Sequence, residues 1–383
     1  MKIKQAVILC GGRGERLRPL TDSMPKPMIN VNGKPFLYYL LYQLSKKKIH
    51  NFVLLTGYKS KKIKLYFKDG KKFGWNIKYS DGPLSWNTGK RIYEAKNILN
   101  NNFLLLYSDN YINFNLNSLY LEHFSNINPI TLTIVKKING NISLNNNLKI
   151  KSYSPKKDKP NLNYVELGYM IVDKKKIFSD FFKTPAENSF NLTSILEFYS
   201  KKRKLGNLII DNTYYSISDP KRLNLTANFL KRKKILLIDR DGIINEKAKK
   251  ARYIERWKDF KFINDNIKAL IYLSKKGFKF VVITNQAGVS QKILSKNQLY
   301  YIHQKMKNEL IQKNVELVKI YYSPDHYNDH LSKTRKPAPG MFFLASKDLK
   351  LNLDNCLYVG DDIRDCKASY NADFNSVFIG KKN

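Results

Sequence analysis

Residues 6–28 read AVILCGGRGERLRPLTDSMPKPM: five apolar residues, three glycines in four positions, and four cationic side chains in all, with three prolines in the second half. Such a short apolar run, bounded by turn residues, reads as a buried strand. Glycines directly after a strand let backbone N–H groups approach a phosphate chain, because no side chain stands in the way and positive φ is tolerated. Arg13, Arg16 and Lys26 can then supply charge to a pentavalent phosphorus, where catalysis is mostly positioning and electrostatic stabilisation. A bare glycine turn after a strand is by itself more often structural. The spacing fits neither the Walker pattern, which needs GK[ST], nor the dinucleotide fingerprint, which needs a later glycine opening the helix.

Outward from this loop, QAVILC, NFVLLTG, NFLLLYSD and ITLTIVKK read as buried strands, and KPFLYYLLYQLSKKKI between the first two has helical spacing of its apolar residues. This is the strand-helix-strand rhythm of a parallel α/β sheet. Residues 139–163 are polar and predict a hairpin plus loop. A second rhythm starts after NLTANFLKRKK: KILLI, KFVVI and CLYV read as strands, separated by NDNIKALIYLSKKG and by a helical stretch from Lys296 to Lys313. The fold class predicted is α/β, with two domains, 1–230 and 231–383, each a mainly parallel sheet flanked by helices.

Composition limits the function classes. Lys+Arg number 69 against 31 Asp+Glu, a formal net charge of +38, but the lysines are scattered in twos and threes with no basic tail or arginine-rich arm. Abundant Lys, Asn, Ile and Tyr fit an AT-rich genome better than a nucleic-acid surface. The positive field would raise the local concentration of phosphorylated substrates. Three cysteines without a CxxC pair point to a reducing cytoplasm. AVILC is too short for a signal-peptide core, and nowhere do 18 apolar residues run together. Neither export, a membrane partner nor a nucleic-acid partner is expected; a homo-oligomer stays open.

The length of the opening match decides between cradle and plain turn. LCGGRGERLRPLTDSMPKPM resembles, almost position for position, the LAGGxGxRLxPLTxxxPKPM signature of the sugar-1-phosphate nucleotidylyltransferases, and the resemblance extends to about residue 225. It implies a Rossmann-like domain in which Leu9, Gly11, Gly12, Arg13, Gly14 and Arg16 hold the nucleoside triphosphate while Lys26 contacts phosphate in the reaction. In that family an Asp closing a later strand binds Mg²⁺, and FLLLYSDN puts Asp109 there; a carboxylate at the C-terminal end of a buried strand is also where an α/β site is expected, though a helix N-cap is the plainer reading. YVELGYMI resembles the sugar-binding strand, making Glu166 and Gly168 candidates for the sugar hydroxyls. Two segments depart from the pattern. The PLGTxGA segment appears as GPLSWNTGKRI, with extra residues around Trp86 and Asn87, and Ser216 stands where a second metal-binding Asp often does. Base choice and metal geometry stay open on these grounds.

LLIDRDGIIN sets Asp239 and Asp241 two apart at the end of a buried strand, hence on the same side. Such a pair can hold Mg²⁺ while Asp239 attacks phosphorus and Asp241 protonates the leaving oxygen. Alone, DxDG suits a turn or a calcium-like loop equally well. Here KFVVI ends in Thr284 and Asn285, KTRKPAPGMF offers Lys336, and CLYV ends in GDDIRD. A hydroxyl, a lysine and a further carboxylate, each at a strand end or turn, complete a phosphoryl-transfer site. This ordered set resembles the haloacid dehalogenase superfamily, and DRDGIIN, VVITNQAGVS, YYSPDH and RKPAPGM look like its D-glycero-D-manno-heptose 1,7-bisphosphate phosphatase branch, with histidinol-phosphate phosphatases next. The resemblance implies Asp239 as nucleophile, Asp241 as acid/base, Thr284, Asn285, Arg335 and Lys336 on the phosphorylated sugar, and Asp361 with Asp239 and Asp241 at Mg²⁺. Asp362 stands where relatives often have Lys, and Asp365 is either a supporting group or an ordinary helix-start charge. The branch's structural zinc site, between CPHH and CxCRKP, reads YYSPDHYNDHLSKTRKP here, with Ser323, Ser332 and Thr334 at the three cysteine places. Hydroxyls are poor zinc ligands, so no zinc is expected, and His326 and His330 read as surface residues. Ile243 replaces the usual Thr of DGT.

The two resemblances together imply a cytoplasmic bifunctional enzyme of nucleotide-sugar biosynthesis. One half would dephosphorylate heptose 1,7-bisphosphate and the other would transfer a nucleotidyl group, with GTP favoured, to the resulting sugar 1-phosphate. The same chemistries on another sugar phosphate, or a non-catalytic regulatory or nucleic-acid-associated protein, are the alternatives; a full catalytic set argues against the latter.

Overall fold

The computed structural model describes residues 3–182, 190–210, 214–248 and 252–380. The chain divides into two compact units, Met1–Lys231 and Arg232–Asn383.

The first unit is built on a nine-stranded sheet. Its strands are β1 (Gln5–Cys10), β2 (Asn51–Thr56), β3 (Asn76–Asp81), β4 (Asn102–Tyr107), β5 (Ile130–Lys136), β6 (Ile142–Leu144), β7 (Ile150–Tyr153), β8 (Tyr164–Asp173) and β9 (Leu205–Ile209). β3, β2, β1 and β4 pair in parallel in that order. Every residue of β1 is buried, because helices cover both faces and a strand there has no solvent side. The side chains still alternate: Ala6, Ile8 and Cys10 pack with Phe36, Leu40 and Leu44 of helix α1 (Phe36–Lys46), whereas Val7 and Leu9 pack with Ile92 of α2 (Thr88–Glu94) and Leu196 of α4 (Leu192–Lys201). Between them in the chain lies α3 (Leu116–Ser125), and α5 (Pro220–Leu230) ends the unit.

β8 breaks the parallel pattern. It pairs antiparallel with β4 on one side and with β5 on the other, and its register slips between Glu166 and Met170. The polar segment 139–163 carries the predicted hairpin as β6 and β7.

The second unit has five parallel strands in the order β12–β11–β10–β13–β14, where β10 is Ile235–Ile238, β11 Lys279–Asn285, β12 Leu317–Ser323, β13 Leu357–Gly360 and β14 Asn375–Phe378. Helices α6 (Asn264–Lys275), α7 (Lys296–Gln312), α8 (Gly340–Leu349) and α9 (Ile363–Asn371) complete it. Leu236, Ile238, Phe280 and Val282 face one core with Ile302 and Met306, while Leu237, Val281 and Ile283 face the other with Phe342 and Tyr358. The edge strands β12 and β14 add to the three expected from sequence. LVKIYYS buries only three of its seven residues fully and NSVF none, which is how edge strands escape a search for continuous apolar runs. In both units the parallel strands end together, and the loops leaving those ends carry the motifs.

Candidate active sites

In the first unit the glycine loop leaves β1 and closes on itself through Lys26. Gly14 has φ +70, and a Cβ there would lie 2.8 Å from the Lys26 Cβ, so a side chain fits neither the backbone nor the space. Thr21 Oγ1 donates to the Gly14 carbonyl at 3.1 Å, tying the loop down. Lys26 Nζ meets Asp109 Oδ2 at 2.6 Å, with the lysine side chain 13% exposed. A cleft of about 610 Å³ opens over this pair; Leu9, Gly11, Gly12, Arg13, Gly14, Arg16, Lys26 and Asp109 line it, as do Trp86 and Asn87 of the divergent segment. Arg13 and Arg16 are exposed at the loop's rim.

Glu166 and Gly168 lie outside that lining, on the slipped stretch of β8. Gly168 has φ +74 and a Cβ there would strike the Tyr107 ring at 2.2 Å, so glycine lets β8 pass over the end of β4. Glu166 Oε2 accepts from Asn141 Nδ2 at 2.7 Å, and burial, against that hydrogen bond, raises its pKa. Ser216 sits beside Asp109: it pairs with Asn110, and the Ile217 N–H donates to the Asp109 carbonyl at 2.9 Å. No second carboxylate therefore arrives from that position.

Arg91 is the residue that motif reading overlooked. It is 4% exposed, and its guanidinium donates to the carbonyls of Thr56 at 2.5 Å, Gly82 at 3.3 Å and Pro83 at 2.7 Å. Burial pulls its pKa down. The same group fills the space over Gly11 and Gly57, where a Cβ would approach it to 2.4 and 2.6 Å. It ties the ends of β2 and β3 under the cradle. The one sequence hint was a cation at the foot of a segment already departing from its pattern.

In the second unit the carboxylates converge. Asp239, at the end of β10, is 8% exposed, and Lys336 Nζ stands 3.0 Å from its Oδ2 and 2.6 Å from Asp365 Oδ1. Lys336 is anchored independently: Asn285 accepts from its N–H at 2.9 Å and donates to its carbonyl at 3.0 Å, and Nζ donates to Tyr358 Oη at 2.7 Å. Thr284 is 1% exposed, and its hydroxyl accepts from Gln286 Nε2 at 3.0 Å. Burial raises the Asp239 pKa against the pull of Lys336.

Asp239, Asp361 and Asp365 each offer an oxygen within 4.8 Å of the others, and among the described residues they form the one group of three or more such ligands. Asp361 Oδ1 is buried without a hydrogen-bond partner. Three hard oxygen donors with an orphaned lone pair suit a divalent cation such as Mg²⁺. The membership differs from the expected set. The Asp241 carboxylate turns away, taking both its oxygens to Arg240 Nη2 at 2.9 Å, with Asn245 Nδ2 at 2.9 Å and Gln286 Nε2 at 2.8 Å. Burial would push its pKa up, but Arg240 and these donors bring it down. Asp365 stands third in the cluster, but its oxygens are engaged too: one meets Lys336 and Tyr358, and the other accepts the N–H groups of Asp361 and Asp362 at 3.1 and 3.0 Å. Asp362 caps α9 and pairs with Arg364 at 2.7 Å. Arg335 lines the same cleft, of about 650 Å³. His330 is exposed and His326 half-buried, its Nδ1 accepting from the Asn328 N–H at 3.2 Å.

The two parts of the chain are similar to two different kinds of known protein. Residues 5–259 match the Nucleotidyl transferase family and residues 234–378 the Polynucleotide kinase 3 phosphatase family. A D-glycero-alpha-D-manno-heptose 1-phosphate guanylyltransferase of Campylobacter jejuni is 32% identical over 221 residues, 56% of this chain and 95% of its own. A D-glycero-alpha-D-manno-heptose-1,7-bisphosphate 7-phosphatase of Photorhabdus laumondii is 32% identical over 155 residues, 39% of this chain and 82% of its own. HddC from Yersinia pseudotuberculosis, solved in complex with GMP-PN, shares the fold at TM-score 0.51 and 20% identity, over 60% of this chain and all of that one. Among the described residues no helix is long and apolar enough to cross a membrane. On these matches the chain belongs to the nucleotidyl transferase family and continues into a phosphatase of the heptose-bisphosphate 7-phosphatase family.

Proposed function

We propose that this single chain carries out two consecutive steps toward a GDP-activated heptose. The observation that carries the reading is the pairing on one chain of the two constellations, whose relatives are named for substrates that follow one another. The guanylyltransferase relative is named for the α anomer at C1, while the 7-phosphatase relatives are named for either anomer.

In the phosphatase step an Asp239 carboxylate oxygen attacks the 7-phosphorus and the bond from phosphorus to the sugar oxygen breaks. Lys336 and the Thr284 hydroxyl hold the phosphoryl oxygens; Asp241, which Arg240, Asn245 and Gln286 hold ionised in the free chain, takes up a proton as the substrate binds and delivers it to the departing sugar oxygen. Water then attacks the acyl phosphate, Asp241 accepts its proton, and phosphate leaves. Asp239 and Asp361 would hold Mg²⁺, which supplies positive charge to the phosphoryl oxygens, while Asp365 fixes Lys336 and the Asp361 N–H beside them.

In the transfer step a phosphate oxygen of the sugar 1-phosphate attacks the α-phosphorus of GTP and the α–β bridge breaks, releasing pyrophosphate. The glycine loop's N–H groups, Arg13 and Arg16 cradle the triphosphate, Lys26 neutralises charge at the reacting phosphorus, and Glu166 with the backbone at Gly168 orients the sugar hydroxyls. Asp109 would hold the Mg²⁺ that accompanies the nucleotide.

The test is to incubate the purified chain with heptose 1,7-bisphosphate, GTP and Mg²⁺. Release of phosphate followed by pyrophosphate is expected, with other nucleotides and sugar phosphates slower; release of neither overturns the reading.

A further inference from the structure

The turn running from β12 to Lys336 is tied at one atom. Asp325 Oδ2 accepts hydrogen bonds from Ser323 Oγ at 3.0 Å, from Thr334 Oγ1 at 2.7 Å and from Ser332 Oγ. These are the three hydroxyls that replace cysteines, so the fold has brought the replaced positions together around a carboxylate. The tie continues toward the cleft. The Arg335 N–H donates to Ser332 Oγ at 2.9 Å, and Arg335 Nη1 donates to the Asp325 carbonyl at 3.2 Å.

This set does not fit zinc. Its donors are hydroxyls and a carboxylate, whereas structural zinc takes thiolates and imidazoles. The spacing disagrees as well. Oxygens at about 2.0–2.2 Å around a tetrahedral zinc stand about 3.3–3.6 Å apart, whereas here the Asp325 oxygen sits within hydrogen-bonding reach of all three hydroxyls. The place a metal would take is filled by the carboxylate oxygen itself.

We propose that Asp325 is the metal-independent tie of this turn and a positioning residue for Arg335 in the phosphatase cleft. The hydroxyl donors, Ser332 foremost, hold its carboxyl below the usual range, so the tie is charged at neutral pH. Because Lys336 is held separately by Asn285 and Tyr358, cutting the tie should release Arg335 and leave the reacting phosphoryl group in place.

The kinetic arm rests on the heptose-bisphosphatase reading; the other arms do not. The full-length chain, purified from medium containing zinc, is expected to hold under about 0.1 zinc per chain, and a zinc chelator is expected to leave amide exchange over residues 324–335 unchanged. Asp325→Ala is expected to speed that exchange and to raise KM for heptose 1,7-bisphosphate about 10- to 100-fold, with kcat within about threefold. Hydrolysis of p-nitrophenyl phosphate, which has no second phosphate, is expected to be little changed. Asp325→Asn keeps one acceptor oxygen, should fold wherever Ala does not, and is expected to fall between wild type and Ala. Stoichiometric zinc whose removal loosens the turn, unchanged exchange and KM in both variants, or kcat falling in step with kcat/KM would each overturn the proposal. If the wild-type chain does not turn over the bisphosphate, the functional reading fails while zinc content and exchange still decide the tie.

Discussion

At the residue scale the proposed chemistry falls to two lysines, each paired with a carboxylate. Lys26 meets Asp109 at the mouth of its cleft, whereas Lys336 is 3% exposed between Asp239 and Asp365, where an unpaired charge would be costly. Lys26→Met is expected to lower pyrophosphate release by about 10²–10³-fold with phosphate release within about twofold. Asp239→Asn, nearly isosteric, is expected to do the reverse, abolishing phosphate release from the bisphosphate and sparing pyrophosphate release when heptose 1-phosphate is supplied directly. Loss of both activities in either variant would sink the assignment of one chemistry to each set of residues. Motif spacing singled out Lys26, Asp109, Asp239 and Lys336 in the sequence, and the fold brings them together as two pairs, Lys26 with Asp109 and Lys336 with Asp239. Arg91 was not singled out: a buried arginine answering to three backbone carbonyls is defined by what folds around it.

Among the elements, α3 carries a buried titratable group unrelated to either site. His123 is 2% exposed, its Nδ1 lies 2.9 Å from Thr131 Oγ1 on β5, and burial takes its pKa from 6.5 down to about 4. Between those values the unfolded chain binds a proton that the folded one refuses. This contribution to stability is therefore fully present above pH 6.5 and is lost as pH falls toward 4. Denaturant unfolding is expected to show a loss of about 2 kcal/mol between pH 7 and pH 5 that His123→Asn removes. Parallel pH slopes for the two proteins would contradict it. Element reading from sequence followed the same logic of burial. Strands covered on both faces, such as β1 and β2, announce themselves as apolar runs, while β12 and β14 at the sheet edge do not. The reversal of β8 was hidden too, since side-chain alternation carries no strand direction.

For the whole molecule, the net charge of +38 bears on encounter rather than on fold. Both proposed substrates are polyanions, so kcat/KM for each is expected to fall several-fold between low salt and about 0.3 M salt, with kcat at saturation nearly constant. A flat salt dependence would show the charge to be background composition. The sequence alone determined the two α/β halves and singled out the glycine loop and the Asp239–Asp241 pair, because periodicity and motif spacing are local properties written along the chain. Only the tertiary structure decided that Asp365 rather than the Asp241 carboxylate completes the acidic cluster, that Arg91 braces the cradle, and that three hydroxyls meet on Asp325. Each depends on side-chain direction and burial among segments distant in sequence, and these exist only once the chain has folded.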